Sequence, residues 1–305
     1  MLRTVAKRSA LVFSLVFSLV VAGCTSAGRP RLVPPDSGRL RVAVAFYPIE
    51  EIVRNVGGDL VDVIELTPAG SEPHDVEMSA QTATQLAQAD IVLYLGHGFQ
   101  PTVEKAIASL GRDVVKVDLL DSVALIVDAK RVDPHIWLDP VNMAAMTDNV
   151  ASILSAADTD AATGFRAQAA AYSAQLGALA DEFSARLANC ASRTVVISHR
   201  SFAYLTTRMH LDQIAIAGIS PDEEPAPRRL QTVAEMARRL GVSTVFYEAR
   251  VADELARTVA DEIDAATAPL NPIESITSAD LASGTSYLTL QRANLAALSK
   301  GLRCS

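Results

Sequence analysis

The chain has 305 residues, of which 50% are hydrophobic and 20% are charged. This composition is typical of a globular protein with one large domain or two medium ones. The formal net charge is -8, and no stretch rich in Lys and Arg stands out. Sequence-independent binding to DNA or RNA needs clustered basic side chains, so the sequence argues against a nucleic-acid partner.

The first residues have the features of an export signal. Basic residues near the start precede a compact apolar run, residues 10–22, that is too short to span a bilayer comfortably. The run ends in Val21-Ala22-Gly23-Cys24, which resembles a bacterial lipobox. We therefore expect removal of residues 1–23 and a lipid anchor on Cys24 that holds the protein at the membrane, with residues 24–38 as a flexible tether. The alternative is an ordinary signal peptide with an incidental cysteine.

Two further cysteines, Cys190 and Cys304, stand in the exported part of the chain. An even pair in an oxidising compartment favours a disulfide. Such a bond would attach the C-terminus to the end of a helix near the middle of the chain. Two unpaired thiols are the alternative.

Short β-rich segments alternate with helical segments, which predicts mostly parallel sheets in an α/β architecture. In the first half we expect strands at Arg41–Phe46, Val61–Leu66, Ile91–Leu95 and Val114–Val117, with helices at Ile49–Val56, Ser79–Ala89 and Thr102–Leu110. In the second half we expect strands at Thr194–Ser198, Gln213–Ala217 and Thr244–Tyr247, with helices at Ser201–Arg208, Arg228–Leu240 and Asp253–Ala265.

One long helical segment separates the two halves. Apolar residues recur at spacings of three and four from Phe165 to Leu187, which marks one buried face, and Asp160 stands where it can cap the start. Roughly 28 residues at about 1.5 Å each span roughly 40 Å. We therefore expect two α/β lobes, residues 39–158 and 191–305, joined by a helix at residues 159–190. The cleft between such lobes is a common place for a ligand.

Three of the five histidines have a similar setting. His74 and His135 lie in loops that lead into helices, and His199 directly follows an apolar strand segment. Ligands bind at such positions in open α/β sheets, and imidazole nitrogens suit zinc and similar metals. A loop histidine is more often solvated or hydrogen-bonded, so the residues alone leave that alternative open. Nearby carboxylates that could accept the second N–H of each ring are those of Asp75, Asp133 and Asp139.

Segments around these histidines resemble the metal-binding proteins of bacterial zinc and manganese ABC importers, the cluster A-I solute-binding proteins. The most specific match is Asp133-Pro134-His135-Ile136-Trp137-Leu138-Asp139-Pro140. The other matching segments follow in the family's order: 72–77, 89–94, 198–199 with Phe202 and Tyr204, 218–225, 246–248, 270–274 and 286–288 with Asn294. The resemblance covers the chain from about residue 40 to the end. It implies a metal ion between two lobes, bound by His74, His135 and His199.

Relatives differ in the fourth ligand. Many have Asp at the position of Asn271, and others use the Glu of an Asn-Pro-hydrophobic-Glu segment, which here ends at Glu274. A neutral amide is a poor replacement for a carboxylate on zinc, so we expect Glu274 rather than Asn271. Glu248 also matches a family position, and we expect it to support the site. Three histidines with one carboxylate favour Zn²⁺, whereas the harder Mn²⁺ prefers more oxygen ligands.

The resemblance further implies a monomeric substrate-binding lipoprotein that delivers the metal to the membrane permease of an ABC importer with its ATPase. It would lie at the outer face of the cytoplasmic membrane or in the periplasm. We do not expect an enzyme, because the sequence has no His-Glu-x-x-His and no Gly-x-Ser-x-Gly segment. An exported zinc hydrolase is therefore disfavoured. An adhesin-like metal-binding surface lipoprotein is the other alternative.

Overall fold

The computed structural model describes residues 39–128, 130–248 and 254–305. The expected signal peptide, the lipid attachment at Cys24 and the tether lie outside these residues. Within the described ranges, no helix combines the length and the apolar character needed to cross a membrane.

The first lobe is a parallel sheet with helices between its strands. Its elements are β1 (Leu40–Val44), α1 (Tyr47–Gly57), β2 (Val61–Glu65), α2 (Ala80–Leu86), β3 (Ile91–Tyr94), α3 (Pro101–Ser109) and β4 (Val115–Asp118). The strand order is β2-β1-β3-β4, and all three pairings are parallel. The central strand β1 is buried on both faces: Val42 and Val44 pack in the main core, whereas Ala43 packs in a smaller core of this lobe. Parallel strands covered on both faces are expected to be such continuous apolar runs.

A small hairpin and two helices follow. The hairpin strands are β5 (Val127–Asp128) and β6 (Arg131–Val132), and the helices are α4 (Pro140–Ala157) and α5 (Ala162–Arg186). The helix α5 has 25 residues, somewhat fewer than the apolar periodicity predicts. The expected cap at Asp160 is wrong: Asp158 Oδ1 accepts the backbone N–H groups of residues 160 and 161 instead. Helix α5 packs against α4 and α1.

The second lobe repeats the topology of the first. Its elements are β7 (Thr194–Ile197), α6 (Ala203–Arg208), β8 (Asp212–Ala215), α7 (Pro227–Arg239), β9 (Thr244–Tyr247), α8 (Glu254–Glu262), β10 (Ala266–Pro269), α9 (Ser278–Ala282) and α10 (Tyr287–Gly301). The strand order is β10-β9-β7-β8, again all parallel. In each lobe the first strand therefore lies between the second and the third. This observed architecture confirms the predicted α/β fold of two lobes with parallel sheets.

The sequence did not indicate the strand β10, because Ala-Thr-Ala-Pro is a short segment without large apolar residues. It pairs with β9 at the edge of the sheet, which explains why α8 ends at Glu262 rather than at the expected Ala265. Edge strands bury fewer side chains, so their hydrophobic pattern is weak.

The main hydrophobic core runs through both lobes. It contains Val44 of β1, Phe165 and Phe183 of α5, Ile197 of β7 and Leu298 of α10. Each lobe has a second, smaller core on the outer side of its sheet. The lobes therefore share one packed interior on the side of α5, and this interior fixes the relative positions of the strand ends that carry the site.

A disulfide joins Cys190, just beyond α5, to Cys304, just beyond α10. Backbone hydrogen bonds continue the connection, because the N–H of Ala191 donates to Arg303 and the N–H of Ser192 donates to Leu302. The last residues of the chain are thereby attached to the helix that runs between the lobes.

Candidate metal centre

His74 lies in the loop that follows the C-terminal end of β2. Its backbone N–H donates to the carboxylate of Glu72 at 3.1 Å, and its ring packs edge-on against Phe99 with a centroid distance of 4.8 Å. These contacts leave the side chain only 7% exposed. Its Nε2 is buried and has no hydrogen-bond partner among the described residues.

His135 follows the β5–β6 hairpin, and Asp133 fixes the orientation of its ring. The Oδ1 atom of Asp133 accepts the backbone N–H of His135 at 3.0 Å and lies 2.8 Å from the ring Nδ1. The Tyr204 hydroxyl donates to the backbone carbonyl of Asp133 at 2.8 Å, which holds this turn against the second lobe. Because a carboxylate accepts the proton on Nδ1, the other nitrogen, Nε2, is the one available to a ligand.

His199 comes two residues after the end of β7, and Glu248 directly follows β9. These strands are neighbours in the sheet, so the two side chains meet. The Nδ1 atom of His199 contacts Glu248 Oε1, which also accepts the Ser198 hydroxyl at 3.4 Å. Both side chains are almost fully buried. Glu248 thus stands behind His199, in the same relation that Asp133 has to His135.

Glu274 brings a carboxylate oxygen to the three free ring nitrogens. Its Oε1 lies 3.4 Å from Nε2 of His135 and 3.7 Å from Nε2 of both His74 and His199. The Nε2 atoms of His135 and His199 are 3.3 Å apart. All four candidate ligand atoms lie within 4.8 Å of one another. Two residues come from each lobe, so the cluster lies where the lobes meet.

These distances fit a four-coordinate metal ion. Zinc bonds to nitrogen and oxygen are about 2.0–2.2 Å long, so ligand atoms at tetrahedral corners are about 3.3–3.6 Å apart. Four of the six separations among these atoms, 3.3, 3.4, 3.7 and 3.7 Å, lie at or just above that range, and all six are within 4.8 Å. Glu274 Oε1 and His74 Nε2 are buried and make no hydrogen bond within the described part of the chain. Buried polar atoms without partners are rare, and a shared cation would satisfy these.

The charges around the cluster also favour a cation. Three carboxylates, those of Asp133, Glu248 and Glu274, are at most 4% exposed. Burying like charges together is costly unless they are paired or coordinate a metal. A divalent ion bound to Glu274 and to neutral histidines would offset two of these three negative charges.

The site shifts the pKa values of two histidines in opposite directions. Burial lowers the pKa of His74, because the charged imidazolium is poorly solvated there. Burial acts in the same direction on His135, but Asp133 and Glu274 outweigh it and raise its pKa to about 9. Burial alone would raise the pKa of Glu274. The neighbouring histidines outweigh that effect, hold the pKa well below its usual range and keep the carboxylate ionised.

The raised pKa of His135 predicts that metal binding releases a proton. At pH 8, an imidazole with a pKa of about 9 is mostly protonated, whereas one with the ordinary value of about 6.5 is neutral. A metal must displace that proton, so we expect affinity to rise about tenfold per pH unit up to about pH 9. Isothermal titration of zinc at pH 8, in buffers of different ionisation enthalpy, should give about one proton released per ion. Heats that do not depend on the buffer at pH 8 would contradict this assignment.

The variant Asp133→Asn tests whether the charge of Asp133 raises the pKa of His135. The amide oxygen can still accept from Nδ1 of His135, but the negative charge is gone. We expect zinc affinity to fall by about 10- to 100-fold, as is usual for partners of metal-binding histidines. We also expect the proton release at pH 8 to disappear, because the pKa of His135 loses its largest upward influence. An unchanged dissociation constant would show that the Asp133 charge does not support the site.

Other residues singled out in the sequence have different surroundings. The side-chain oxygen of Asn271 accepts the backbone N–H of Ile273 at 2.8 Å. Asp139 caps α4 and pairs with Arg208. A hydrogen bond between Asp75 and Asp222 raises the pKa of Asp222, so Asp75 faces another carboxylate.

Sequence reasoning missed the supporting roles of Tyr204 and Asn294, although both residues stand in segments that match the family. The Tyr204 hydroxyl donates a hydrogen bond to the backbone carbonyl of Asp133. The side chain of Asn294 hydrogen-bonds to both the N–H and the carbonyl of Asn271. No spacing in the sequence signals either role, because each partner is at least 23 positions away.

A cavity of about 120 Å³ leads toward the cluster from one side. Its wall includes His74 and Phe99 from the first lobe and Ser220 and Glu223 from the second. Arg131 lines the same cavity and forms an ion pair with Glu223 at 2.7 Å, so one ion pair bridges the two lobes at this opening.

Residues 42–301 match the family model of ZnuA, which is described as zinc-uptake complex component A, periplasmic. The chain belongs to the ZnuA family. This membership confirms the resemblance that the sequence motifs indicate. The ZnuA-family match begins in β1 and ends at the last residue of α10, so it includes both lobes and all four clustered residues.

Individual relatives are similar in sequence to this chain over most of its length. The zinc-binding lipoprotein AdcA of Streptococcus pneumoniae is 29% identical over 96% of this chain, which spans only 60% of that protein's length. The high-affinity zinc uptake system protein ZnuA of Bacillus subtilis is 26% identical, with 93% of this chain and 94% of that one covered. The crystal structure of the Zn(II)-bound ZnuA-like domain of S. pneumoniae AdcA superposes with a TM-score of 0.76 at 31% identity, covering 87% of this chain and 99% of that chain.

Proposed function

We propose that this chain captures a zinc ion outside the cytoplasm and delivers it to the membrane permease of an ABC importer that has its own ATPase. The observation that carries this proposal is the convergence of three imidazole Nε2 atoms and one carboxylate oxygen, buried and within 4.8 Å of one another. The proposed ligands are His74, His135, His199 and Glu274. Membership of a family described by zinc uptake supports the same conclusion.

Zinc is favoured over manganese by the kind and number of ligands. Three imidazole nitrogens and one carboxylate suit a borderline ion with tetrahedral geometry. Manganese prefers more oxygen ligands, and among the clustered atoms only Glu274 supplies one. The site is therefore proposed to discriminate by the type and the number of its donor atoms.

The protein is proposed to bind without catalytic turnover. Catalytic zinc sites keep a coordination position open for water, whereas four protein ligands complete a tetrahedral shell. Asp133 and Glu248, which could otherwise serve as general bases, contact the outer nitrogens of His135 and His199. This arrangement suits tight binding and exchange of the ion rather than activation of a water molecule.

We further propose that Cys24 carries a lipid anchor and that the protein works as a monomer at the outer face of the membrane. In the mature chain, residues 39–158 and 191–305 would act as two lobes around the helical segment 159–190. The names of relatives such as the lipoprotein AdcA of S. pneumoniae support the anchor. The family description does not favour the adhesin alternative.

A growth assay tests delivery directly. A strain that lacks this chain is expected to grow poorly in chelator-treated medium, and added zinc should restore its growth. The wild-type chain should restore growth at low zinc, whereas a variant with His74, His135 and His199 all changed to alanine should not. Equal rescue by both chains would overturn the proposed role of the site.

A further inference from the structure

The chain reaches Glu274 through a tightly held turn that begins directly after β10. Asn294, on α10, is 2% exposed and binds both backbone groups of Asn271. Its Oδ1 accepts the Asn271 N–H at 2.8 Å, and its Nδ2 donates to the Asn271 carbonyl at 2.7 Å. The side-chain amide of Asn294 thus satisfies both the N–H and the carbonyl of residue 271, as the backbone of a neighbouring β-strand would.

The side chain of Asn271 then shapes the next two residues. Its Oδ1 accepts the backbone N–H of Ile273 at 2.8 Å, and Ile273 has a φ of 54°. That left-handed conformation is rarely adopted by a β-branched residue. The intervening carbonyl of Pro272 accepts the indole N–H of Trp137 at 2.8 Å. Strained backbone of this kind persists at functional sites when surrounding contacts hold it.

The turn sets the position of Glu274. The residue directly after the left-handed Ile273 points its Oε1 to within 3.4–3.7 Å of three ring nitrogens. The side-chain oxygen of Asn271 meanwhile accepts a hydrogen bond within the turn itself. We propose that Asn271 and Asn294 are positioning residues that act on zinc affinity through the carboxylate of Glu274. This inference rests on the proposed function.

A double-variant cycle on the full chain, purified in detergent, tests this coupling. Zinc dissociation constants are measured by chelator competition for the wild type, Asn271→Ala, Glu274→Ala and the combined variant. We expect Asn271→Ala to weaken binding by about tenfold or more, a typical cost of losing support for a metal ligand. In the Glu274→Ala background, the same substitution should change the zinc dissociation constant by less than about twofold. The carboxylate that Asn271 positions is then absent, and the effects of two residues that act through the same contact do not add. Asn294→Ala should behave in the same way.

A matched control is Asn149→Ala. This asparagine of α4 donates a hydrogen bond to Ser122 at 2.9 Å and makes no hydrogen bond to the turn before Glu274 among the described contacts. Its loss should leave the zinc dissociation constant within about twofold of wild type, which separates positioning of Glu274 from the general loss of one hydrogen bond. Melting temperatures of all metal-free variants are measured alongside. If Asn271→Ala does not fold, Asn294→Ala takes its place in the cycle, because it removes both hydrogen bonds that hold the backbone of residue 271.

Each outcome decides one question. An equal loss from Asn271→Ala in both backgrounds would overturn the inference, because Asn271 would then act independently of Glu274, for example as a ligand. No loss from Asn271→Ala in the wild-type background would overturn it as well. The proposed function fails in a different way: wild-type protein that binds no zinc, or binding unaffected by Glu274→Ala, would contradict the metal site itself.

Discussion

Replacing His74, His135 and His199 together with alanine is expected to reduce bound zinc from about one ion per chain to background. The three Nε2 atoms are the nitrogen donors of the cluster, and a single carboxylate does not hold zinc against a chelator. Metal analysis of the purified full chain after dialysis against a weak chelator measures the effect. Circular dichroism shows whether the variant remains folded.

The control for this variant uses the two histidines outside the cluster. His97 and His210 both have positive φ values, 59° and 53°, so asparagine, which tolerates this conformation, is the suitable replacement. The double variant His97→Asn, His210→Asn should keep about one zinc ion per chain. If it loses zinc as completely as the triple alanine variant, the assignment of the ligands is wrong.

Removing the disulfide between Cys190 and Cys304 is expected to cause a large loss of stability without changing the metal site. The bond between Cys190 and Cys304 closes a loop with a sequence separation of 114. In the chain-entropy treatment, a loop of that length corresponds to about 4–5 kcal/mol. The double variant Cys190→Ser, Cys304→Ser should therefore lose about that much free energy of unfolding and melt about 10 °C or more below wild type.

This experiment is best done on metal-free protein, because bound zinc would stabilise both forms by mass action. The zinc dissociation constant should change little, since both cysteines lie outside the cluster of ligand atoms. A loss below about 1 kcal/mol would mean that packing of α10 on α5 already restrains the C-terminus without the bond.

A site made by both lobes links metal binding to the contact between them. His74 and His135 precede α5, and His199 and Glu274 follow it. A bound ion would therefore connect the two sheets directly, in addition to the shared core on the α5 side. Zinc should raise the melting temperature in proportion to the logarithm of its free concentration, as expected for a ligand of the folded state alone.

Much of the fold could be predicted from the sequence, because the relevant signals are local. Apolar β-rich segments such as Ile91–Leu95 and Thr244–Tyr247 mark strands that are buried on both faces. The apolar spacing from Phe165 to Leu187 marks the buried side of α5, and these residues are indeed in the core. The positions of three histidines after strands or in loops indicated a ligand site, and the Asp-Pro-His-x-Trp-Leu-Asp-Pro segment indicated the family.

The rest depends on contacts between distant segments. That Glu248 contacts His199 follows from the pairing of β7 with β9, which the sequence does not specify. The role of Asn271 depends on Asn294, 23 positions further along the chain. The Asp160 cap failed because α5 begins at Ala162 behind Ala161, which has no capping side chain, while Asp158 accepts the N–H groups of residues 160 and 161 in the preceding turn. Local propensity ranks such carboxylates equally, and tertiary geometry selects between them.

The most direct measurement is the position of zinc in a crystal of the loaded protein, located by anomalous scattering at the zinc edge. We expect one strong peak about 2.0–2.2 Å from Nε2 of His74, His135 and His199 and from an oxygen of Glu274. Asn271 should remain hydrogen-bonded to the backbone of Ile273. A peak that lacks one of the three histidines, or that has Asn271 in place of Glu274, would contradict the proposed site.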